Sequence, residues 1–309
     1  NNIKPPVRLS ATPYIVLQAQ HYPEQSSGKD ISSSFGGGMD MKYGINESFT
    51  LDMSLLPDFS QVQSDNKVKN LTAFETVYSE QRPFFKEAVD LFMKGDIFYS
   101  RRIGKTPTLF YSVEDSLKEG ESISKNPVQQ RLVNATKVSG RNKKGLAIGV
   151  LNAVTANTYA TLSDAENNQR KVLTDPATNY NLLVFDQALK NNSNVYITNT
   201  NVIRGSNFRD ANVTASGITL NDKSNTYRFS LSGGMSQVFM PAEAENQRST
   251  VRGFKYGISA SKTNGNLQWS VSRGTLDDKF NANDMGLTIY NNYNNNSAAV
   301  SYSIYKPFW

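Results

Sequence analysis

Three glutamates, Glu75, Glu80 and Glu87, have the type and spacing that could support catalysis. Glycoside hydrolysis needs two carboxyl groups at a set separation, one acting as general acid and the other as nucleophile or base. The same stretch places basic residues near the acids, so a network of ion pairs is the simpler interpretation. We therefore predict no catalytic residue, and instead a charge network inside the protein. Its predicted members are Asp58, Asp65, Glu75, Glu80, Arg82, Glu87, Arg101 and Arg102.

Other reactive residue types are scarce. The chain has no cysteine, which excludes disulfides and thiolate metal sites, and its single histidine is His21. A serine triad would have to use His21, and no Gly-x-Ser-x-Gly segment surrounds a serine. We therefore expect no metal site and no cofactor. Whether the protein is an enzyme stays open, and a non-enzymatic role is favoured.

Charge and hydropathy bound the class of protein further. The 33 basic and 27 acidic residues give a net charge of +6, and the basic residues form no long cluster. Nucleic-acid binding needs a concentrated basic surface with stacking aromatics, so no nucleic-acid partner is expected. No apolar run approaches the roughly 20 residues of a membrane-spanning helix.

Apolar and polar residues alternate along most of the chain. Phe254, Tyr256 and Ile258, for example, alternate with Lys255 and Ser259. Side chains of a β-strand point alternately to the two faces of its sheet, so each such segment has one apolar and one polar face. The predicted strands lie near 8–22, 36–46, 48–57, 133–141, 145–161, 180–190, 194–204, 211–220, 226–239, 251–263, 266–276, 284–292 and 297–306. More than ten such strands at a mean hydropathy of -0.50 predict an all-β fold, an antiparallel up-and-down transmembrane β-barrel of the bacterial outer membrane.

The alternation also predicts which side chains face lipid. In a membrane barrel the apolar positions point outward and the polar positions point into the lumen. We expect Tyr43, Phe229, Tyr256, Trp269 and Tyr302 outside, and Lys42, Arg228, Lys255 and Ser270 inside. Periodicity does not say which face is enclosed, so a soluble β-barrel or sandwich stays open as an alternative.

The alternation stops between residues 57 and 131. Residues 72–75 fit a capping box, which predicts a short helix over 73–80 that Pro83 ends. A structureless segment of this length is improbable in a compact domain, and its charges need partners when they leave water. We therefore predict that residues 57–131 form a plug-like insertion in the lumen of a barrel that spans residues 1–309.

Several motifs of this interruption resemble those of a known family. They lie at 51–52, 56–62, 65, 70–75, 80–85, 87 and 98–104, with further matches at 138–141, 145–155, 283–286 and 291–292. The chain resembles a Bacteroidetes outer-membrane β-barrel family known only as a domain of unknown function. The resemblance implies a barrel that usually follows a domain similar to family 9 carbohydrate-binding modules. That domain is absent from these residues, so its sugar binding is not assigned to them.

Together these observations favour an outer-membrane barrel that serves as a transport or assembly component of an envelope complex. Its expected partners are outer-membrane lipids and other outer-membrane or periplasmic proteins, with a glycan as a further candidate. One alternative is a surface protein of polysaccharide binding or degradation, and another is a soluble β-barrel binding protein. The polar start at 1–4 and Pro307 near the end predict a mature chain whose barrel continues beyond Trp309.

Overall fold

The computed structural model describes residues 8–21, 31–57, 75–205, 207–241 and 248–304. Its strands are β1 (Leu9–His21), β2 (Ile31–Gly44), β3 (Phe49–Leu55), β4 (Ser122–Lys125), β5 (Leu132–Arg141), β6 (Leu146–Thr155), β7 (Thr158–Ser163), β8 (Gln169–Asp175), β9 (Thr178–Ala188), β10 (Asn194–Arg204), β11 (Asp210–Asn221), β12 (Tyr227–Phe239), β13 (Thr250–Lys262), β14 (Leu267–Leu276) and β15 (Tyr293–Tyr302). Twelve of them form one antiparallel sheet in the order β1-β2-β3-β5-β6-β9-β10-β11-β12-β13-β14-β15. The predicted all-β antiparallel fold is confirmed. Strands β1 and β15 are the edges of this sheet, so it does not close among the residues that the structure describes.

The large sheet has two chemically different faces. Cross-strand pairing places Lys42, Asp52 and Lys137 side by side on one face, in line with the buried Leu151 and Leu182. Residues 75–131 pack on this face, which we call the covered face. The opposite face, here the bare face, presents apolar side chains to the surroundings. The predicted division of side chains between the two faces is confirmed for Tyr43, Phe229, Tyr256 and Tyr302, which are exposed on the bare face, and for Lys42 and Lys255, which contact the insertion.

The connections at the two ends of the large sheet differ in length. At one end, the short-turn end, the strands are joined by four or five residues, at 45–48, 142–145, 189–193, 222–226 and 263–266. At the opposite, long-loop end lie the long connections 56–131, 156–177 and 277–292. All segments that cover the sheet therefore start and finish at one end.

The insert, as we call residues 75–131, lies on the covered face. It holds two one-turn helices, α1 (Pro83–Lys86) and α2 (Val89–Phe92), and several 3-10 turns. Phe85, Phe92, Phe98 and Ile103 of the insert are buried in one cluster with strand residues. The strand members of that cluster are Leu132, Ala135, Leu151, Ala153, Tyr180, Leu182, Val184 and Val202. Because each large side chain gains about 1.5–3 kcal/mol when fully buried, this cluster fixes the insert to strands β5, β6, β9 and β10.

A second segment, 277–292, also folds over the covered face. Its Phe280 and Ala282 are buried with Ile97 of the insert, and Tyr99 donates a backbone hydrogen bond of 2.7 Å to Met285. The prediction of a strand over 284–292 is therefore wrong. Asn283 explains the difference, because its side chain bonds the backbone of Thr288 in both directions and holds a turn.

Strands β4, β7 and β8 form a small separate sheet at the long-loop end, in the order β4-β7-β8. Strand β6 stops at Thr155 and β7 begins at Thr158, so the single strand predicted over 145–161 is two strands in two sheets. Strands β4 and β8 were not predicted. Ala160 and Leu162 of β7 are buried against Val113 of the insert, which gives this sheet a small core of its own.

Three local predictions are corrected by the backbone. Residues 75–80 are not helical, and residues 73 and 74 lie outside the described residues. Pro83 does not end a helix but begins α1, where its missing N–H costs nothing. The dipeptide Asn264-Gly265 predicts a type I′ hairpin turn, and a hairpin turn does form there, but only Gly265 has a positive φ (88°), so the turn is not of type I′. None of the described helices is long and apolar enough to cross a membrane.

Candidate functional site

A buried ion pair organises the start of the insert. Arg82 donates from Nε and Nη2 to the two carboxylate oxygens of Glu80, at 2.9 and 2.8 Å. The same guanidinium donates to the carbonyl oxygens of Ser100 (2.7 Å) and Ile103 (2.8 Å), and it lies 4.2 Å from the ring centre of Phe85. One side chain thus ties the extended residues 79–82 to the turn at 100–103.

The electrostatics of Glu80 make it a poor proton donor. Burial raises the pKa of Glu80, but hydrogen bonds from Arg82 and Ser100 outweigh burial, so the pKa of this carboxyl lies below its usual value. A general acid of a glycosidase needs a raised pKa instead. The arrangement therefore favours the predicted ion pair over the glycosidase interpretation.

Arg102 joins the insert to the segment 277–292. Its Nη1 and Nη2 atoms donate to both carboxylate oxygens of Glu75, at 2.9 and 2.7 Å, and its Nε donates to the carbonyl oxygen of Gly286 at 2.9 Å. Arg101 donates to the carbonyl oxygen of Ser79 at 2.5 Å. Among the described residues, Arg82 and Arg102 thus pair with the predicted acids Glu80 and Glu75.

A row of alternating charges crosses strands β2, β3 and β5 beneath the insert. Asp52 lies 3.7 Å from both Lys42 and Lys137. Lys42 also binds the predicted Glu87, with Nζ 2.9 Å from Oε2. Lys137 is buried and donates to the carbonyl oxygens of Phe84 (2.7 Å) and Glu87 (3.3 Å). This row is the ionic contact between the sheet and helix α1.

A third cluster lies at the long-loop end. Asp284 pairs with Arg204, at 2.8 Å, and with Arg209, and both Asp284 and Arg204 are almost fully buried. Burial raises the pKa of Asp284, but hydrogen bonds from Arg209 and the charge of Arg204 outweigh it, so this pKa is lowered. Burial lowers the pKa of Lys105 in the insert, and the positive charge of the nearby Arg204 acts in the same direction.

The eight predicted network residues thus fall into separate groups. Glu75 binds Arg102, Glu80 binds Arg82, and Glu87 binds the strand residue Lys42. Asp58 and Asp65 lie outside the described residues. Sequence reasoning missed six further residues that form ion pairs in the structure: Asp52, Lys137, Asp186, Arg204, Arg209 and Asp284. Asp52 and Lys137 lie on neighbouring strands, and only the strand register brings them together.

The chemistry open to this site is ionic and structural. Within the part of the chain that the structure describes, no group of three or more acidic or histidine side chains could hold a metal ion. Each described acid of the predicted network accepts hydrogen bonds from a basic side chain. Side chains held in this way position segments of the chain.

The sequence model of one protein family, described as Domain of unknown function (DUF5916), matches residues 5–309. The chain belongs to this family. The predicted membership of a family known only as a domain of unknown function is confirmed, while the Bacteroidetes source and the carbohydrate-binding association stay predictions. No curated protein matches this DUF5916 chain.

The DUF5916 chain is also similar to solved structures of OmpT, an outer membrane protein of Vibrio cholerae. Outer-membrane expressed OmpT is 13% identical with a TM-score of 0.38, over 95% of this chain and 96% of that chain. The trimer form of in-vitro folded OmpT is 14% identical with a TM-score of 0.35, over 95% of this chain and 97% of that chain. We draw no conclusion about function from a likeness at this level.

Proposed function

We propose that the protein is an outer-membrane β-barrel whose bare face contacts lipid and whose lumen holds the insert, and that it serves as a transport or assembly component of the envelope. The bare face is the observation that carries this proposal. Phe254, Tyr256 and Ile258 on this face are 54%, 48% and 43% exposed, and exposed apolar residues continue on the neighbouring strands. A continuous apolar surface of this kind is unusual on a soluble monomer and is what a lipid contact requires.

The apolar band runs obliquely across the strands. Strand pairing connects Phe185 on β9, through one residue on each of the strands between, to Thr275 on β14. These two residues are five strand spacings apart. The apolar bare-face residues of β14 are Leu267, Trp269 and Val271, which lie nearer the short-turn end. The apolar band is therefore displaced along β14 by about six residues relative to Thr275, over five strand spacings. At 3.3 Å per residue and 4.8 Å per strand, this displacement corresponds to a strand tilt of roughly 40°. Strands of outer-membrane barrels tilt by about 35–45° to the membrane normal.

The two ends of the sheet support the same proposal. Outer-membrane barrels have short periplasmic turns and longer extracellular loops. The short-turn end would therefore face the periplasm, and the insert would enter the lumen from outside the cell. The covered face suits a lumen, because it offers the insert an apolar patch on β5, β6, β9 and β10 and a charged row on β2, β3 and β5.

Membrane fractionation with gel electrophoresis tests the proposal. The protein should be recovered in the outer-membrane fraction, and unheated samples should migrate faster in SDS than boiled samples, because a folded barrel resists SDS until heated. Recovery in the soluble periplasmic fraction, with no change on heating, would contradict the proposal and favour the soluble β-barrel.

A further inference from the structure

A cavity of about 660 Å³ lies between the insert and the covered face of β1, β2, β3 and β5. Hydroxyl groups of Ser10, Thr12 and Ser54, the amide of Gln81 and the carboxylate of Asp40 contribute to its lining. Apolar side chains such as Val16, Met53 and Phe84 also line the cavity, but its polar and charged groups can exchange water for the polar atoms of a solute, so the cavity can admit hydrophilic solutes.

The cavity exists because the insert is fixed on one side only. Its buried aromatic residues pack on β5, β6, β9 and β10, where the covered face is apolar. Towards β2 the contact is ionic, between Lys42 and Glu87, whose side chains are 54% and 53% exposed. Exposed ion pairs of this kind contribute little stability, so the contact can open at small cost.

A second cavity, of about 390 Å³, continues towards the short-turn end. Ala88, Ser139 and Arg141 are among its lining residues. Lys137 lines the first cavity, and Ser139 is the next covered-face position along β5. The two cavities are therefore adjacent, and residues 87 and 88 of the insert lie at their boundary.

We propose that the two cavities form one passage for small hydrophilic solutes along the insert, that the Lys42–Glu87 pair closes it, and that Asp40 makes it favour cations. This inference rests on the proposed barrel. The first cavity is lined by three carboxylates, Asp40, Asp52 and Glu87, and by two ammonium groups, those of Lys42 and Lys137. Asp40 accepts a hydrogen bond from the Ser54 hydroxyl but forms no ion pair with any residue that the structure describes, so its negative charge can attract a passing cation.

Conductance of the full-length protein in planar bilayers, in potassium chloride, tests this inference. Loss of an exposed ion pair changes an equilibrium by at most about fivefold. Lys42→Met should therefore raise the fraction of time that the passage is open by up to about that factor. Lys143→Met is the matched control, because Lys143 pairs with Glu47 at 3.6 Å in an exposed contact and neither residue lines either cavity. It should leave conductance unchanged. Asp40→Asn should shift the reversal potential in a salt gradient towards that of a non-selective pore.

Heat-modifiable migration of each variant separates the outcomes. If the variants fold as barrels and Lys42→Met conducts no better than Lys143→Met, the passage is refuted while the barrel stands. If conductance changes but Asp40→Asn leaves the reversal potential unaltered, the cation preference is refuted. If the wild-type protein is not heat-modifiable and is absent from membranes, the proposed function itself fails. A Thr12→Cys variant adds a second readout, since a small charged thiol reagent should react with it faster when Lys42→Met is also present.

Discussion

Replacement of Arg82 by methionine tests whether the buried ion pair holds the insert together. Arg82 and Glu80 are only 10% and 13% exposed. The substitution keeps the apolar volume beside Phe85 but removes the guanidinium from the Glu80 carboxylate and from the carbonyl oxygens of Ser100 and Ile103. Glu80 then keeps only the Ser100 hydroxyl and the backbone N–H of residue 82 as donors, and its buried charge has no counter-charge. Removing one partner of a buried pair costs about 3–5 kcal/mol. We expect a loss of this size in the free energy that opens the insert.

Amide hydrogen exchange measures this loss directly. The backbone amides of Arg102 and Ile103 bond within the turn at 99–103, so their protection reports local opening of the insert. Arg248→Met is the matched control, because Arg248 pairs with Asp210 while 41% exposed, and we expect a change of no more than about 1 kcal/mol there. The double variant Glu80→Met with Arg82→Met should recover part of the protection, since no unpaired charge remains, although the carbonyl oxygens of Ser100 and Ile103 still lack the Arg82 donor. Protection in Arg82→Met equal to that of the control would refute the reasoning.

Three further predictions concern the pH dependence of Glu80, the lipid contact of the bare face and the packing of segment 277–292. Although burial raises the pKa of Glu80, hydrogen bonds from Arg82 hold it below its ordinary value in the folded protein. Its contribution to stability should therefore be complete above the ordinary pKa of a glutamate and lost as the pH falls through the folded pKa; insert protection that does not change on acidification would contradict this. Ile258→Arg should destabilise the barrel by roughly 2–4 kcal/mol in lipid, and Arg273 on the neighbouring strand would add charge repulsion. Unfolding in lipid vesicles measures this loss. An unchanged free energy of unfolding would place residue 258 outside the bilayer. Gly253→Ala should cost roughly 1–3 kcal/mol, because its Cβ would lie 2.1 Å from the backbone nitrogen of Phe280; unchanged thermal unfolding would mean that the segment 277–292 shifts freely.

The strands could be predicted from sequence because alternation is a local signal. Residues 251–263, for example, were predicted as a strand, and the structure has β13 at Thr250–Lys262. Short apolar segments gave false signals where side chains bond the nearby backbone. Met285, with Leu287 and Ile289, mimics a strand, but Asn283 holds this stretch in a turn and Met285 packs against the insert.

The site could be predicted only in part, because ion pairs depend on register. Glu80 and Arg82 are two residues apart, so their pairing could be anticipated from the sequence. Lys42 and Lys137 are brought to Asp52 by the pairing of β2, β3 and β5, which no local pattern reveals. The pair between Lys42 and Glu87 depends in addition on the fold of the insert, which returns over these strands.

The central claim is that the bare face contacts lipid. These 309 residues contain no cysteine, so Ile258→Cys and Ser259→Cys each place one fluorescent label, on the bare face and on the covered face respectively. The protein is reconstituted in vesicles that contain a lipid with a quencher on its acyl chain. We predict strong quenching of the label at position 258 and weak quenching at position 259. Equal quenching at both positions, or stronger quenching at 259, would contradict the claim.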